Sequence, residues 1–461
     1  MTAGEKLNLY ADLTRRFGLY GPPLSFDKTS RRMSGRELAE VWARGQVAAK
    51  GALSQAVYVH VPFCRHLCHY CGCNSYPMGR TETVQAYVDA LHREMDRVAQ
   101  YIDKGRKISQ IHYGGGSPTA LPVPMIKELT EHMLSLFPVI ERPEIAIECH
   151  PGYLTEDDWM ALTECGFTRY SLGVQDFREE VLKTSGRRPS LLPMEEILRI
   201  LRGSGATVNM DFIYGLPKQS AESFRETMRQ AAALRPDRLV TFAYAHLPMI
   251  FPRQKVLDRA GLPADEEKNQ MFEEAARILQ EAGYKPVGLD HFVLPDDELA
   301  QALAQGRLHR NFQGYCTRRT TAQVYAFGVT GISQLDDVYA QNGRDIQEYI
   351  RTINEGKLYT SRGYRLSAQE KIVREVVETL MCNYQLYWPD VAQRLGLTVD
   401  EVRKACIYNE DLMREMAADG ILTLDGEHLY ISTDGRPFVR CVAAALDPLM
   451  VNTDKKFSKP I

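Results

Sequence analysis

From residue 55 onward, short runs of β-branched and aromatic residues alternate with longer stretches whose apolar positions recur every three or four residues. The apolar runs at 56–62, 108–113, 144–148, 168–174, 207–214 and 238–245 read as strands buried on both faces, as parallel strands are. The stretches between them, for example 83–102 and 220–234, carry one apolar face at helical spacing. This βαβ rhythm predicts an α/β fold in which six parallel strands form a sheet or partial barrel. Each strand run ends in a polar or glycine-rich tip: a cysteine loop, Gly114-Gly115-Gly116-Ser117, Glu148, Gln175-Asp176, Asp211 with Gly215, and Tyr244-Ala245-His246. Barrels gather their chemistry at that rim.

On either side the pattern changes. Residues 1–54 read as a helical or irregular lead-in with a turn at Gly21-Pro22-Pro23, residues 55–365 as the barrel domain, and residues 366–461 as a smaller, mainly helical domain. In the last, helices are predicted at 368–382, 388–396 and 398–420, then a hairpin over 421–432 turning at Asp425-Gly426, and a final helix from about Arg436. Helices followed by a small hairpin suggest a winged-helix-like module, more plausibly a lid on the barrel than a DNA reader.

Composition narrows the class. The chain has 461 residues, 44% hydrophobic and 25% charged, enough for one large core and a smaller domain. A net charge of −3 and a pI near 6.4 give no basic surplus for nucleic acid. No apolar run reaches transmembrane length and the first residues lack an apolar signal core, so the expectation is no membrane and a cytoplasmic location. Cys149, Cys165, Cys316, Cys382, Cys406 and Cys441 are scattered without a pairing pattern, as buried thiols in a reducing compartment are.

The remaining four cysteines lie within ten residues. Cys64, Cys68, Cys71 and Cys73 have the spacing C-x3-C-x2-C-x-C directly after the first strand. One loop can thus offer several thiolates to an iron–sulfur cluster. If the first three ligate a [4Fe-4S] cluster, one iron stays open for a small molecule. A tetrahedral zinc site or a disulfide pair are the alternatives, although zinc sites usually bring two separated C-x2-C pairs and no second pair follows.

Three further groups stand out. The Gly114-Gly115-Gly116-Ser117 tip promises backbone amides free to meet a charged ligand group, or a plain tight turn. Glu148 and Asp211 are carboxylates at the tips of apolar strands, where burial demands a partner: a ligand's hydroxyls or ammonium, or a structural arginine. Arg187 is the nearest candidate cation. Asp290-His291-Phe292 and His309-Arg310-Asn311-Phe312-Gln313-Gly314-Tyr315 mix polar and aromatic residues, as a pocket for a flat acidic ligand does.

Cys64-x3-Cys68-x2-Cys71 resembles the radical S-adenosylmethionine (SAM) superfamily. More narrowly, Tyr58-Val59-His60-Val61-Pro62-Phe63-Cys64, Cys71-Gly72-Cys73-Asn74, Gly173-Val174-Gln175-Asp176-Phe177, Tyr244-Ala245-His246-Leu247-Pro248 and Asn311-Phe312-Gln313-Gly314-Tyr315 resemble the oxygen-independent coproporphyrinogen III oxidase (dehydrogenase) family, from about residue 55 to the tail at 457–461. The resemblance implies a partial (β/α)6 radical SAM barrel. It implies that Cys64, Cys68 and Cys71 hold the [4Fe-4S] cluster while Cys73 does not. It also implies that Tyr58, Tyr70, Gly115, Gly116, Ser117, Glu148, Gln175, Arg187, Asp211, Ala245 and Ile332 bind SAM, as two molecules in the family's manner. The implied chemistry is oxidative decarboxylation of two propionates of coproporphyrinogen III to vinyl groups in haem biosynthesis, with electrons from a flavodoxin- or ferredoxin-like donor to a monomeric enzyme. His291, His309 and Arg310 are the cations proposed for the substrate carboxylates. His150 stands where the family usually has aspartate. A radical SAM enzyme for another tetrapyrrole (methyl transfer or anaerobic haem breakdown) and a haem-binding chaperone of the same family are the competing readings. The chaperones more often carry Asp-Phe after the third cysteine, where this chain has Gly72-Cys73.

Overall fold

The computed structural model describes residues 55–102, 105–311, 314–317 and 323–451. The lead-in at 1–54, Phe312 and Gln313, and the tail at 457–461 lie outside the described residues.

Six parallel strands form where the apolar runs predict them: β1 (Gln55–Val61), β2 (Ile108–Gly115), β3 (Val139–Cys149), β4 (Arg169–Gln175), β5 (Thr207–Tyr214) and β6 (Arg238–Ala243). Along β1 every side chain except Tyr58 is buried, the signature of a strand covered on both faces. β3 begins well before its apolar run because its first half carries the exposed pair Glu141 and Arg142, which hides it from a hydrophobicity reading. The helix Thr81–Ala99 buries Val84, Tyr87, Val88, Leu91, Met95 and Val98 at three- and four-residue spacing. Ser220 caps the helix Ala221–Leu234 through a capping box with Ser223.

The sheet runs past these six strands on both sides, to twelve strands in an open order. Beside β1 a further parallel strand, Val324–Phe327, is followed by the antiparallel strands Ile332–Gln334, Val338–Asn342 and Thr360–Arg365. Beside β6 lie the antiparallel strands His291–Val293 and Lys285–Val287. Parallel direction puts the C-terminal tips of β1 to β6 on one rim, as the sequence implies. At their other ends Glu144 of β3 binds Arg169 of β4 at 3.1 Å and Arg238 of β6 at 3.6 Å, and Arg238 reaches Asp297 at 2.6 Å.

A second core gathers around the helix Ala368–Asn383 and the helices Trp388–Leu395, Val399–Ala405 and Glu410–Ala418. The single helix predicted over 398–420 is two, broken where Ile407 takes a left-handed backbone at φ 50°. The hairpin forms from Leu422–Leu424 and His428–Ile431, and a third strand, Gln385–Tyr387, pairs with it. This second core also takes Val287, Val293, Leu299, Leu308 and Tyr315 from the segment before residue 366.

Candidate active site

The cysteine loop is closed by backbone bonds rather than by the cysteines. Tyr76 N–H donates to the Pro62 carbonyl at 2.7 Å and Met78 N–H to the Cys64 carbonyl at 2.8 Å, pairing the short strands Phe63–Cys64 and Tyr76–Pro77. His69 N–H ties the middle of the loop to the Ser185 carbonyl at 3.0 Å. Gln254, 1% exposed, donates from Nε2 to the Tyr70 carbonyl at 2.8 Å and the Ala245 carbonyl at 3.2 Å, while its Oε1 accepts from Leu247 N–H at 2.6 Å. One amide side chain thus joins the cysteine loop to the tip of β6.

The thiols are not equivalent. Burial, with Cys71 and Cys68 nearby, pushes the Cys64 thiol up to about 12. The hydrogen bond between Cys73 and Cys71 divides that pair, bringing Cys71 down to about 6 and raising Cys73. Cys73 N–H also donates to Cys71 Sγ at 3.4 Å. Among the described residues no three His, Cys, Asp or Glu side chains are grouped to hold a single metal ion. A cube in which each cysteine binds its own iron does not ask for that convergence, whereas tetrahedral zinc does. The donor set therefore fits a [4Fe-4S] cluster.

Two amides of the glycine tip are already paired, in line with the tight-turn alternative. Gly116 N–H donates to the Val61 carbonyl at 2.8 Å and Ser117 N–H to the Phe63 carbonyl at 2.9 Å, because the pairing of the two segments continues past the ends of β1 and β2. Those amides are not free for an anion. Gly115 has φ 114°, a conformation that side chains resist, and a Cβ on Gly116 would lie 2.8 Å from the Phe63 carbonyl oxygen.

Among the described residues neither tip carboxylate pairs with an arginine. Glu148 keeps 42% of its side chain open and lines the cavity, and His112 Nε2 meets its Oε1 at 3.0 Å. Burial opposes the charged form, but the His112 hydrogen bond and charge, with the Gly115 amide, hold its carboxyl below the usual range. Asp211 accepts from Ser171 Oγ and Asn209 Nδ2, each at 2.8 Å. Burial outweighs those bonds and raises its carboxyl. Two neighbouring carboxyls are thereby pushed in opposite directions. Arg187 instead donates to the Tyr70 hydroxyl at 3.1 Å, to Cys68 Sγ at 3.6 Å and to the Gly173 carbonyl. It backs the cysteine loop, and among the described residues no carboxylate is its partner.

The strand tips enclose an open cavity of about 370 Å³. Cys64, Cys68, Cys71, Tyr70, Gly115, Gly116, Ser117, Glu148, Gln175, Arg187, Asp211 and Ala245 all line it. Tyr58 does not, but its ring stacks on His112 at 5.9 Å and its hydroxyl meets His60 Nδ1 at 3.2 Å, which places it behind Glu148. Ile332 opens the strand beyond Val324–Phe327, two strands out from β1, and is also absent from the lining.

The three proposed substrate cations separate. His291 binds Asp290 at 2.6 Å and sets its ring edge-on to Tyr315, and Arg310 lies over the same Tyr315 ring at 5.1 Å. His309 is paired with Glu378 of the helix Ala368–Asn383, since neighbours on a strand face opposite ways. The sequence reading missed Arg440, on the helix Val439–Ala445, whose charge acts with His291 and Arg310 on Asp290. Also missed were Gln254 and His112. Only the last, two residues before the glycine tip, carried a local signal.

The radical SAM superfamily profile matches residues 58–231, and the HemN C-terminal domain profile matches residues 366–438. The oxygen-independent coproporphyrinogen III oxidase of Escherichia coli is 37% identical over 85% of each chain. That of Pseudomonas aeruginosa is 34% identical over 98% of each. The solved structure of Escherichia coli coproporphyrinogen III oxidase, reported as a radical SAM enzyme, is similar at a TM-score of 0.84 and 34% identity, covering 94% of this chain and 97% of that one. With a three-thiol loop, a tip-lined cavity and likeness over nearly its whole length, this chain belongs to the oxygen-independent coproporphyrinogen III oxidase family of radical SAM enzymes.

Proposed function

We propose that the protein converts two propionates of coproporphyrinogen III to vinyl groups without oxygen, giving protoporphyrinogen IX in haem biosynthesis. The observation that carries this reading is the cavity in which the three thiols of the C-x3-C-x2-C loop face the tips of β2 to β6. Cys64, Cys68 and Cys71 would hold a [4Fe-4S] cluster, which together with SAM would supply the radical chemistry that removes a hydrogen atom from the propionate β-carbon. Carbon dioxide and one electron then leave, the electron to an external acceptor.

The chain's own groups bind and orient. Carbonyl oxygens and the Ser117 hydroxyl at the glycine tip, where the Gly116 and Ser117 amides are spent on the Val61 and Phe63 carbonyls, suit the ammonium of a SAM methionine. Glu148, kept ionised by His112, and Asp211 offer acceptors for hydroxyls or an ammonium. A second SAM and the remaining residues proposed for it, including Tyr58 and Ile332, follow the family resemblance. His291 and Arg310, with Arg440 across from them, are the groups proposed to meet substrate carboxylates. No helix among the described residues is long and apolar enough to cross a membrane; a monomeric cytoplasmic enzyme reduced by a flavodoxin- or ferredoxin-like protein is the reading adopted.

The test is anaerobic: reconstituted protein with reductant, SAM and coproporphyrinogen III, followed by mass spectrometry. Two sequential losses of carboxyl with matching 5′-deoxyadenosine support the reading. Deoxyadenosine without decarboxylation moves the substrate to another tetrapyrrole, and haem binding without deoxyadenosine points to a chaperone. In the same preparations Cys64→Ser, Cys68→Ser and Cys71→Ser are expected to lose the cluster's broad visible absorbance while Cys73→Ser keeps its iron. Full iron in Cys71→Ser would overturn the ligand assignment.

A further inference from the structure

Beside the cysteine loop, two exposed arginines that do not themselves line the cavity bracket one aromatic ring. The guanidinium of Arg65 lies 5.8 Å from the centroid of Tyr153 and that of Arg188 lies 5.4 Å from it. Among the described residues neither guanidinium forms an ion pair. Neither lines the cavity, so substrate carboxylates inside it do not account for them.

Their connection to the thiols is short. Arg65 follows Cys64 directly, and Arg188 follows Arg187, whose Nη1 lies 3.6 Å from Cys68 Sγ. A narrow cleft beside Arg65 opens onto Cys64, walled by Tyr153, His66, Thr119 and His150, both histidines also lining the cavity. His150 takes a hydrogen bond from Gly152 N–H at 3.1 Å and packs against Tyr153 at 4.7 Å. Of the acidic residues that follow, Asp158 turns back onto Thr155 and Glu156 faces Arg199 at 3.7 Å.

We propose that the face formed by Arg65, Arg188, His66 and Tyr153 is the docking surface for an acidic one-electron carrier protein that reduces the cluster. The proposal rests on the functional reading above and names the surface for its electron donor. Opposite charge steers an encounter and sets its orientation, and here it steers the partner to within a residue of two cluster ligands. The aromatic ring between the cations gives a flat partner edge something to pack on.

The experiment compares the wild-type protein with Arg65→Glu/Arg188→Glu, using reduced flavodoxin as the donor and dithionite as a small-molecule control. Stopped-flow bleaching of the cluster is expected to slow at least about tenfold with flavodoxin in the variant, to weaken with added salt in the wild type, and to stay unchanged with dithionite. Flavodoxin-driven reduction at the wild-type rate would overturn the proposal. Binding of flavodoxin to the cluster-free proteins is titrated in parallel, including Arg65→Gln/Arg188→Gln, which preserves bulk. Loss of salt-dependent affinity in both variants supports the surface and equal affinity refutes it, whether or not coproporphyrinogen III proves to be the substrate.

Discussion

His112 and Glu148 show how much of the site hangs on a pair. The imidazole stacks under Tyr58 and donates to a carboxylate that faces the cavity. Because Glu148 is 42% open to cavity water, removing that donor costs about 1 kcal/mol rather than the several of a sealed charge. His112→Ala is expected to weaken SAM binding several-fold and lower stability by about that amount, with His112→Gln restoring part of both, read by SAM titration and urea unfolding. Unchanged SAM affinity in His112→Ala would remove Glu148 from the binding role. At this scale the cysteines were legible because their spacing is local. Gln254 was not, because nothing near residue 254 shows that its amide spans Tyr70 and Ala245.

Helices and strands carry their own tests. Glu94, on the helix Thr81–Ala99, accepts from Gly328 N–H at 2.8 Å, Asn342 Nδ2 at 2.9 Å and the Tyr349 hydroxyl at 2.7 Å, binding that helix to the turn after Val324–Phe327. Burial raises its carboxyl from 4.5 to about 7, against those three donors. The folded protein therefore holds this proton where the unfolded chain has lost it. That preference contributes fully below pH 4.5 and is lost as the pH rises through about 7, a change of at most about 3 kcal/mol. Urea midpoints of wild type minus Glu94→Gln should fall between pH 5 and pH 7.5, and a flat difference would contradict the raised carboxyl. The strands of the barrel were readable because each contains an apolar run, and the first half of β3, which lacks one, stayed hidden. Val324–Phe327 and Gln385–Tyr387 were not, since four or three residues leave no periodicity to detect. The break at Ile407 was hidden too, because no glycine marks its left-handed backbone.

Over the whole molecule the two cores interlock. Val287, Val293, Leu299, Leu308 and Tyr315 precede residue 366 yet pack with Val376, Leu380 and Leu386. A chain truncated after residue 365 would expose these five side chains, each worth about 1.5 to 3 kcal/mol of burial. Such a truncation is expected to aggregate or to bind a hydrophobic dye strongly, measured by solubility and dye fluorescence. A soluble, dye-silent fragment would show that the barrel stands without the second core. By itself the sequence determined the thiol loop, the six-strand rhythm and the rim where the tips meet, since local spacing and periodicity encode all three. Tertiary structure alone decided that His112 rather than an arginine holds Glu148, that Arg187 backs Cys68, that His309 turns away to Glu378, and that Arg65 and Arg188 flank one ring. Each joins residues tens of positions apart in the chain, and only the stacking of neighbouring strands and loops brings them within bonding distance.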